Sequence, residues 1–286
     1  MANLKEIRGR ISSISSTMQI TSAMKMVSAA KLKKAQDAIV MLRPYSEKLC
    51  EIIENLNASS DGDGLSEYAI RRETKKILFI TITSNRGWAG AFNSSVIKEL
   101  NARLLANKNL EAQILTIGKK VFDSVKRNRT IYGNESAVFD NLTFEQVSSF
   151  TEKVMKDFRL GNFDTVYIIY NRFINAATQE VSVEQLLPIA VPEKKSAVNM
   201  DYIYEPGRDF ILNSLIPRSI KTQVFKAILD SVASEHGARM TAMHKATDNA
   251  QSLKNDLVIF YNKARQASIT NEILEIVSGA EALKGS

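Results

Sequence analysis

Leu4-Lys5-Glu6-Ile7-Arg8-Gly9-Arg10-Ile11-Ser12-Ser13-Ile14-Ser15-Ser16-Thr17-Met18 opens the chain, and its apolar residues step by three and four. Leu4, Ile7, Ile11, Ile14 and Met18 thus line one narrow stripe of a helix, and such a stripe is covered best by a second helix. The register resumes at Leu32, Ala35, Ile39 and Leu42, then at Leu49, Ile53 and Leu56. At the other end Ile220, Val224, Ile228 and Val232 begin a second run, continued by Leu253, Leu257, Phe260, Ala264 and Ala267. At roughly 1.5 Å per residue, a helix from Asn3 to Asn57 spans about 80 Å and one from Pro217 to Ala282 about 100 Å. The pattern predicts two long terminal helices paired as an antiparallel coiled coil, with the excess of the C-terminal one running on alone.

Between Met18 and Ala30 the heptad positions fall on Thr21, Lys25 and Ser28, all polar, while Ile20, Ala23, Met24 and Val27 lie one step round. This predicts a phase slip in the coil. The small residues from Ser22 to Ala30 suit a close-packed or partner-facing stretch, or a change of facing within a fixed coil. Ala58 to Gly64 has loop composition. Asp61, Asp63 and Gly64 lack the third ligand and closing glutamate of a calcium loop, so the segment reads as a linker.

The middle of the chain alternates strand and helix. Lys76 to Thr83 is a continuous β-prone run, as expected of a strand covered on both faces. A helix over Ser94–Ala106, a strand over Ala112–Ile117, a short helix over Lys119–Lys126 and a strand near Thr130–Val138 follow. Thr143, with Gln146 three residues on, caps a helix running to Leu160. Asp164–Arg172 is a fourth strand, and Gln179–Leu187 alternates like a fifth at an edge. The expected fold is α/β with long helical extensions: a Rossmann-like domain with a mostly parallel five-stranded sheet. Its divisions are an N-terminal coiled-coil helix over 1–57, a linker over 58–75, the α/β domain over 76–190, a connector over 191–207 and a C-terminal coiled-coil helix over 208–286. A short helix over Arg208–Leu215 precedes Pro217, where the long helix is expected to start.

The net charge of +7 arises from 38 basic and 31 acidic residues. Met1 to Lys48 holds nine basic residues against three acidic ones, so most of the excess lies on one helix. Either this is a solvated basic face or it meets an acidic partner. Nucleic acid is the weaker partner, because aromatic or Gly-Arg interleaving is missing. The lone Cys50 forms no internal disulfide, which suits a reducing compartment. No run approaches the roughly 18 apolar residues of a membrane span, and no leader-like h-region follows Met1. Any membrane association is expected to come through partners.

Asn85-Arg86-Gly87-Trp88-Ala89-Gly90 lies where a doubly wound sheet binds phosphates, after the first strand and before a helix. Its glycine spacing fits neither a dinucleotide fingerprint nor a P-loop, so a tight turn exposing Arg86 and Trp88 as a protein contact is favoured. His236 and His244 stand about 12 Å apart along one helix, too far to share a metal. No nucleophile elbow or Cys/His arrangement is present, and no cofactor, metal site or catalytic centre is expected. Ala264 to Glu272 concentrates polar groups; Arg265, Gln266 and Thr270 either face solvent or bond a surrounding protein. Two other readings are a nucleotide-binding α/β enzyme with helical extensions and a basic coiled-coil scaffold.

Over essentially its whole length the sequence resembles the gamma subunits of rotary (F-type) ATP synthases. The resemblance rests on Leu4-Lys5-Glu6-Ile7-Arg8, Gln19-Ile20-Thr21, Ala23-Met24-Lys25-Met26-Val27, Ala30-Lys31-Leu32, Arg86-Gly87 with Gly90 and Asn93, and Val183-Glu184-Gln185-Leu186-Leu187-Pro188. It is strongest in Ala233-Ser234-Glu235, Ala238-Arg239-Met240, Ala246-Thr247-Asp248-Asn249-Ala250 and Tyr261-Asn262-Lys263-Ala264-Arg265-Gln266, closing on Ile269, Thr270, Glu272, Glu275, Gly279, Ala280 and Ala282. Asn85, Trp88 and Ala89 depart from the family's usual residues, and no regulatory cysteine pair is inserted. The resemblance implies a noncatalytic central-stalk rotor, transmitting rotation between a proton-driven c ring and catalytic beta subunits. It implies alpha, beta, epsilon and c-ring partners and a peripheral position on the cytoplasmic side of a bacterial inner membrane. By the same resemblance Arg239, Arg265, Gln266 and Thr270 contact the alpha/beta ring, Met24 and Lys25 face the mobile acidic part of beta, and Lys31, Lys33 and Lys34 pair with its acids.

Overall fold

The computed structural model describes residues 4–58, 67–70, 72–189 and 208–284. The elements are α1 (Leu4–Ala58), β1 (Lys76–Ile82), α2 (Phe92–Ala106), β2 (Glu111–Ile117), α3 (Lys119–Val125), β3 (Ile131–Asn134), α4 (Phe144–Arg159), β4 (Thr165–Phe173), β5 (Gln179–Leu187) and α5 (Arg208–Lys284). A 3-10 turn, Ser136–Phe139, separates β3 from α4. The expected connector over 191–207 and most of the 58–75 linker lie outside the described residues. By packing, the chain divides into one unit of 28–239 and another of 1–27 with 240–286.

In the larger unit the sheet order is β3-β2-β1-β4-β5. β1 pairs parallel with β2 and with β4, β2 pairs parallel with β3, and β5 closes the edge antiparallel to β4. The unbroken apolar run of β1 is explained by two covers. Ile77 and Phe79 face Val96, Leu100 and Leu104 of α2 and Val121 and Val125 of α3. Leu78, Ile80 and Ile82 face α4, through Val147, Val154 and Phe158, and α5, through Ile216, Ile220, Val224 and Ile228. Thr143 caps α4 as expected, accepting from the Gln146 N–H at 3.4 Å.

The first stretch of α5 is therefore a wall of the α/β core. Its three-and-four spacing, read as a coiled-coil seam, is satisfied by the sheet. Pro217 does not begin the helix either; α5 runs through it from Arg208. The proline lacks one backbone donor, and packing of Ile216 and Ile220 on both sides of it holds the helical path.

In the smaller unit α1 and α5 run antiparallel. Arg8 donates to the Tyr261 hydroxyl at 2.7 Å, Lys254 lies 3.4 Å from Ser15 Oγ, and Thr21 meets Thr247 at 2.8 Å. As the number rises on α1 it falls almost equally on α5. From Thr247 onward the α5 residues turned inward are Thr247, Ala250, Lys254, Leu257, Tyr261, Ala264 and Ser268. Leu257 and Ala264 keep their expected places, whereas Leu253, Phe260 and Ala267 are exposed. The phase slip expected in α1 does not occur. Thr21 is 9% exposed and Ser28 2%, while Ile20 is 60% exposed and Val27 also faces solvent. A small hydroxyl residue is tolerated at such a place when it bonds its own helix, as Thr21 Oγ1 does to the Met18 carbonyl at 3.1 Å.

Candidate partner-contact sites

At the carboxyl ends of β1 and β2, where a doubly wound sheet would hold an anion, the chain supplies its own acceptors. The first-turn donors of α3 are taken: Lys119 N–H by Asn85 Oδ1 at 3.0 Å, Lys120 N–H by the Ser84 carbonyl at 3.2 Å and Val121 N–H by Thr83 Oγ1 at 3.1 Å. Gly118 (φ 109°) lies so close that a Cβ there would meet the Thr83 carbonyl oxygen at 2.2 Å. Asn85 Nδ2 donates to the Ser136 carbonyl at 3.0 Å, and Ser84 N–H to Asn93 Oδ1 at 3.0 Å. These polar groups tie the turn to the sheet and engage the N–H donors that a phosphate would use.

The turn itself is strained. Trp88 adopts φ 64° and Gly90 φ 56°, and a bulky residue in the left-handed region costs on the order of 1–3 kcal/mol. Ser84 Oγ donates to the Arg86 carbonyl at 2.5 Å from within the turn. From α5, Arg239 Nη2 donates to the Gly87 carbonyl at 3.1 Å and lies 3.4 Å from the Arg86 carbonyl. Its Nη1 donates to Glu235 Oε1 at 2.6 Å and lies 3.4 Å from His236 Nδ1. Arg239, expected to reach a surrounding ring, is only 8% exposed and directs its guanidinium within its own chain. Trp88 is 76% exposed, and Arg86 also faces solvent.

Burial pushes the Glu235 carboxyl above its ordinary range, against the pull of Arg239, Lys31 and Arg86. His236 moves down to about 4, through burial first and then the charges of Arg239 and Lys31. It is neutral at physiological pH. The fold thus gathers Arg86, Arg239 and Lys31, far apart in sequence, about one buried acid.

The other expected residues lie elsewhere. Lys31, Lys33 and Lys34 are exposed on α1, Lys33 bridging Asp37 at 2.9 Å. In the smaller unit Met24 and Lys25 are half-buried, Lys25 Nζ lying 3.4 Å from His244 Nδ1. Arg265, Gln266 and Thr270 are exposed near the end of α5. Thr270 Oγ1 donates to its own helix, at the Gln266 carbonyl, 2.9 Å away.

The sequence reading missed the apolar end of α5. Ile269, Ile273, Leu274, Ile276 and Val277 are all exposed there. α5 has 77 residues against 55 in α1. In the antiparallel register, with Arg8 opposite Tyr261, α1 ends before these residues are reached. The signal was available as apolar residues at helical spacing with no partner stripe left to cover them.

Among the described residues no helix is long and apolar enough to cross a membrane. A family profile described as ATP synthase matches residues 3–283. The chain is 57% identical to an ATP synthase gamma chain of Flavobacterium johnsoniae, all of each chain being covered. It is 48% identical to that of Cytophaga hutchinsonii over 99% of each chain. In structure it resembles a chain of the Tetrahymena thermophila mitochondrial ATP synthase central stalk and c ring, with TM-score 0.58, 26% identity, and 79% of this chain and 99% of that one covered. A chain of the Euglena gracilis mitochondrial ATP synthase shares the fold at TM-score 0.68 and 21% identity, with 98% of this chain and 94% of that one covered.

Proposed function

The chain belongs to the ATP synthase family as a gamma chain, a central-stalk rotor, and from that premise we propose how its own residues serve that task. The end of α5 enters the alpha/beta ring, and its larger unit meets epsilon and the c ring. The observation that carries this reading is the run Ile269, Ile273, Leu274, Ile276 and Val277, left uncovered beyond the α1 pairing. At about 3.6 residues per turn these five fall within roughly half of the helix circumference, opposite Asn271, Glu275 and Ser278, and such an uncovered apolar stripe suits the inner wall of a sleeve of protein. Arg265, Gln266 and Thr270, just before this end, make directional contacts with the ring. Met24, Lys25, Lys31, Lys33 and Lys34 on α1, with Arg86 and Trp88 in the turn, meet acidic segments of beta.

The chain itself catalyses nothing. Each angle of an asymmetric shaft offers a different set of contacts to each beta subunit, so turning it changes which beta conformation is favoured. Attachment to the cytoplasmic face of a bacterial inner membrane comes through the c ring.

The test pairs Ile273→Lys with Val277→Lys in the full chain, expressed with alpha and beta subunits. Both positions are exposed in the chain, so its own folding is unchanged, while recovery of the assembled complex falls about ten-fold or more, as for a cation placed in an apolar interface. Undiminished recovery would remove the sleeve reading.

A further inference from the structure

We propose that Arg239 and Glu235 are positioning residues: a buried ion pair on α5 that grips the turn after β1 and holds Trp88 outward. The turn has two features that need an external hold. Trp88 sits at φ 64°, a region a bulky side chain leaves unless its surroundings prevent it. The segment is also a connection, and beyond the Ser84 hydroxyl on the Arg86 carbonyl its carbonyls at Arg86 and Gly87 take donors from outside the turn.

Arg239 supplies them. One end of its guanidinium donates to the Gly87 carbonyl at 3.1 Å, and the other to Glu235 at 2.6 Å. The planar fork bridges acceptors on two elements at once, which a lysine ammonium on a flexible stem does far less well. Glu235 and Arg239, one helical turn apart, orient each other, with side chains 13% and 10% exposed. Beneath the turn Ala89 and Phe92 pack on Ala238, next to the arginine. The pair thus fixes the direction in which an exposed aromatic leaves the surface. Only the consequence for the assembled rotor rests on the reading of this turn as a partner contact; the grip is internal to the chain.

Trp88 is the single tryptophan of the chain, so its fluorescence reports on the turn alone. The experiment is time-resolved anisotropy of Trp88 in the full isolated chain, for the parent, R239Q, R239K and E235Q, with far-UV circular dichroism on each. In R239Q the amplitude of the fast nanosecond component is expected to rise at least about two-fold, because the indole gains local motion independent of tumbling. R239K falls between parent and R239Q. E235Q, which keeps the bond to Gly87, moves less than R239Q. Equal amplitude in the parent and an R239Q chain of parent-like helicity would overturn the proposal. If R239Q loses helicity, R239K decides alone: a raised fast amplitude supports the grip and an unchanged one refutes it. Undiminished recovery of the alpha/beta complex from a W88A chain would count against the partner-contact reading only, because the grip is read in the isolated chain.

Discussion

Arg239 and its neighbours show how one residue's role follows from what surrounds it. An arginine on a long helix of a shaft is a natural candidate for touching a partner, yet this one is enclosed by Glu235, His236 and the turn carbonyls. The same enclosure makes a pH prediction. The His236 imidazole, held down to about 4, stays neutral while the unfolded chain takes its proton near pH 6.5. Between those values the unfolded state binds more protons, so this group removes stability as pH falls from about 6.5 to 4. Glu235, raised by burial, works in the opposite sense, since the folded carboxyl takes its proton first. In H236N the histidine contribution is gone. Denaturant midpoints of the parent are therefore expected to drop more steeply than those of H236N across that window. Parallel curves for the two would show that the imidazole is not held neutral.

At the scale of elements, α1 and α5 each serve two purposes along one continuous helix. The first part of α5 completes the sheet core, and its later part pairs with α1 through Thr247, Leu257 and Tyr261. Two substitutions separate these environments. Ile228→Ala, at a fully buried position, is expected to cost about 2–5 kcal/mol in chemical unfolding, from lost burial and the cavity left behind. Leu253→Ala, at an exposed one, is expected to stay within about 0.5 kcal/mol. A large loss at Leu253 would restore the register that its spacing suggested. The type and order of all five strands, the cap at Thr143 and the two terminal helices were legible because each rests on a local period or a local bond. The partner of a stripe was not. Ile220, Val224 and Ile228 are spaced alike whether the neighbour is a helix or a sheet, so periodicity gave the face and not what covers it. Nor does hydropathy rank a threonine above an isoleucine for a seam. Thr21 and Ser28 hold those buried places as short side chains, Thr21 also bonding its own helix, while Ile20 and Val27 stay outside. The turn at Asn85–Gly90 was legible as a turn, but the arginine that grips it lies about 150 positions away and nothing local announces it.

For the molecule as a whole, the proposed function rests on surfaces that its own fold leaves uncovered. The basic face of α1, the outward Trp88 and the apolar end of α5 are exposed, and these are the proposed contacts for other subunits. A shaft of this kind must turn while the ring around it stays still. The direct measurement is single-molecule observation of a bead attached to the larger unit of this chain, in an alpha/beta/gamma complex whose ring is fixed to a surface, during ATP hydrolysis. Sustained rotation in one direction that stops when ATP is withdrawn is the expected result. A bead that stays at one angle while the same complexes hydrolyse ATP would contradict it.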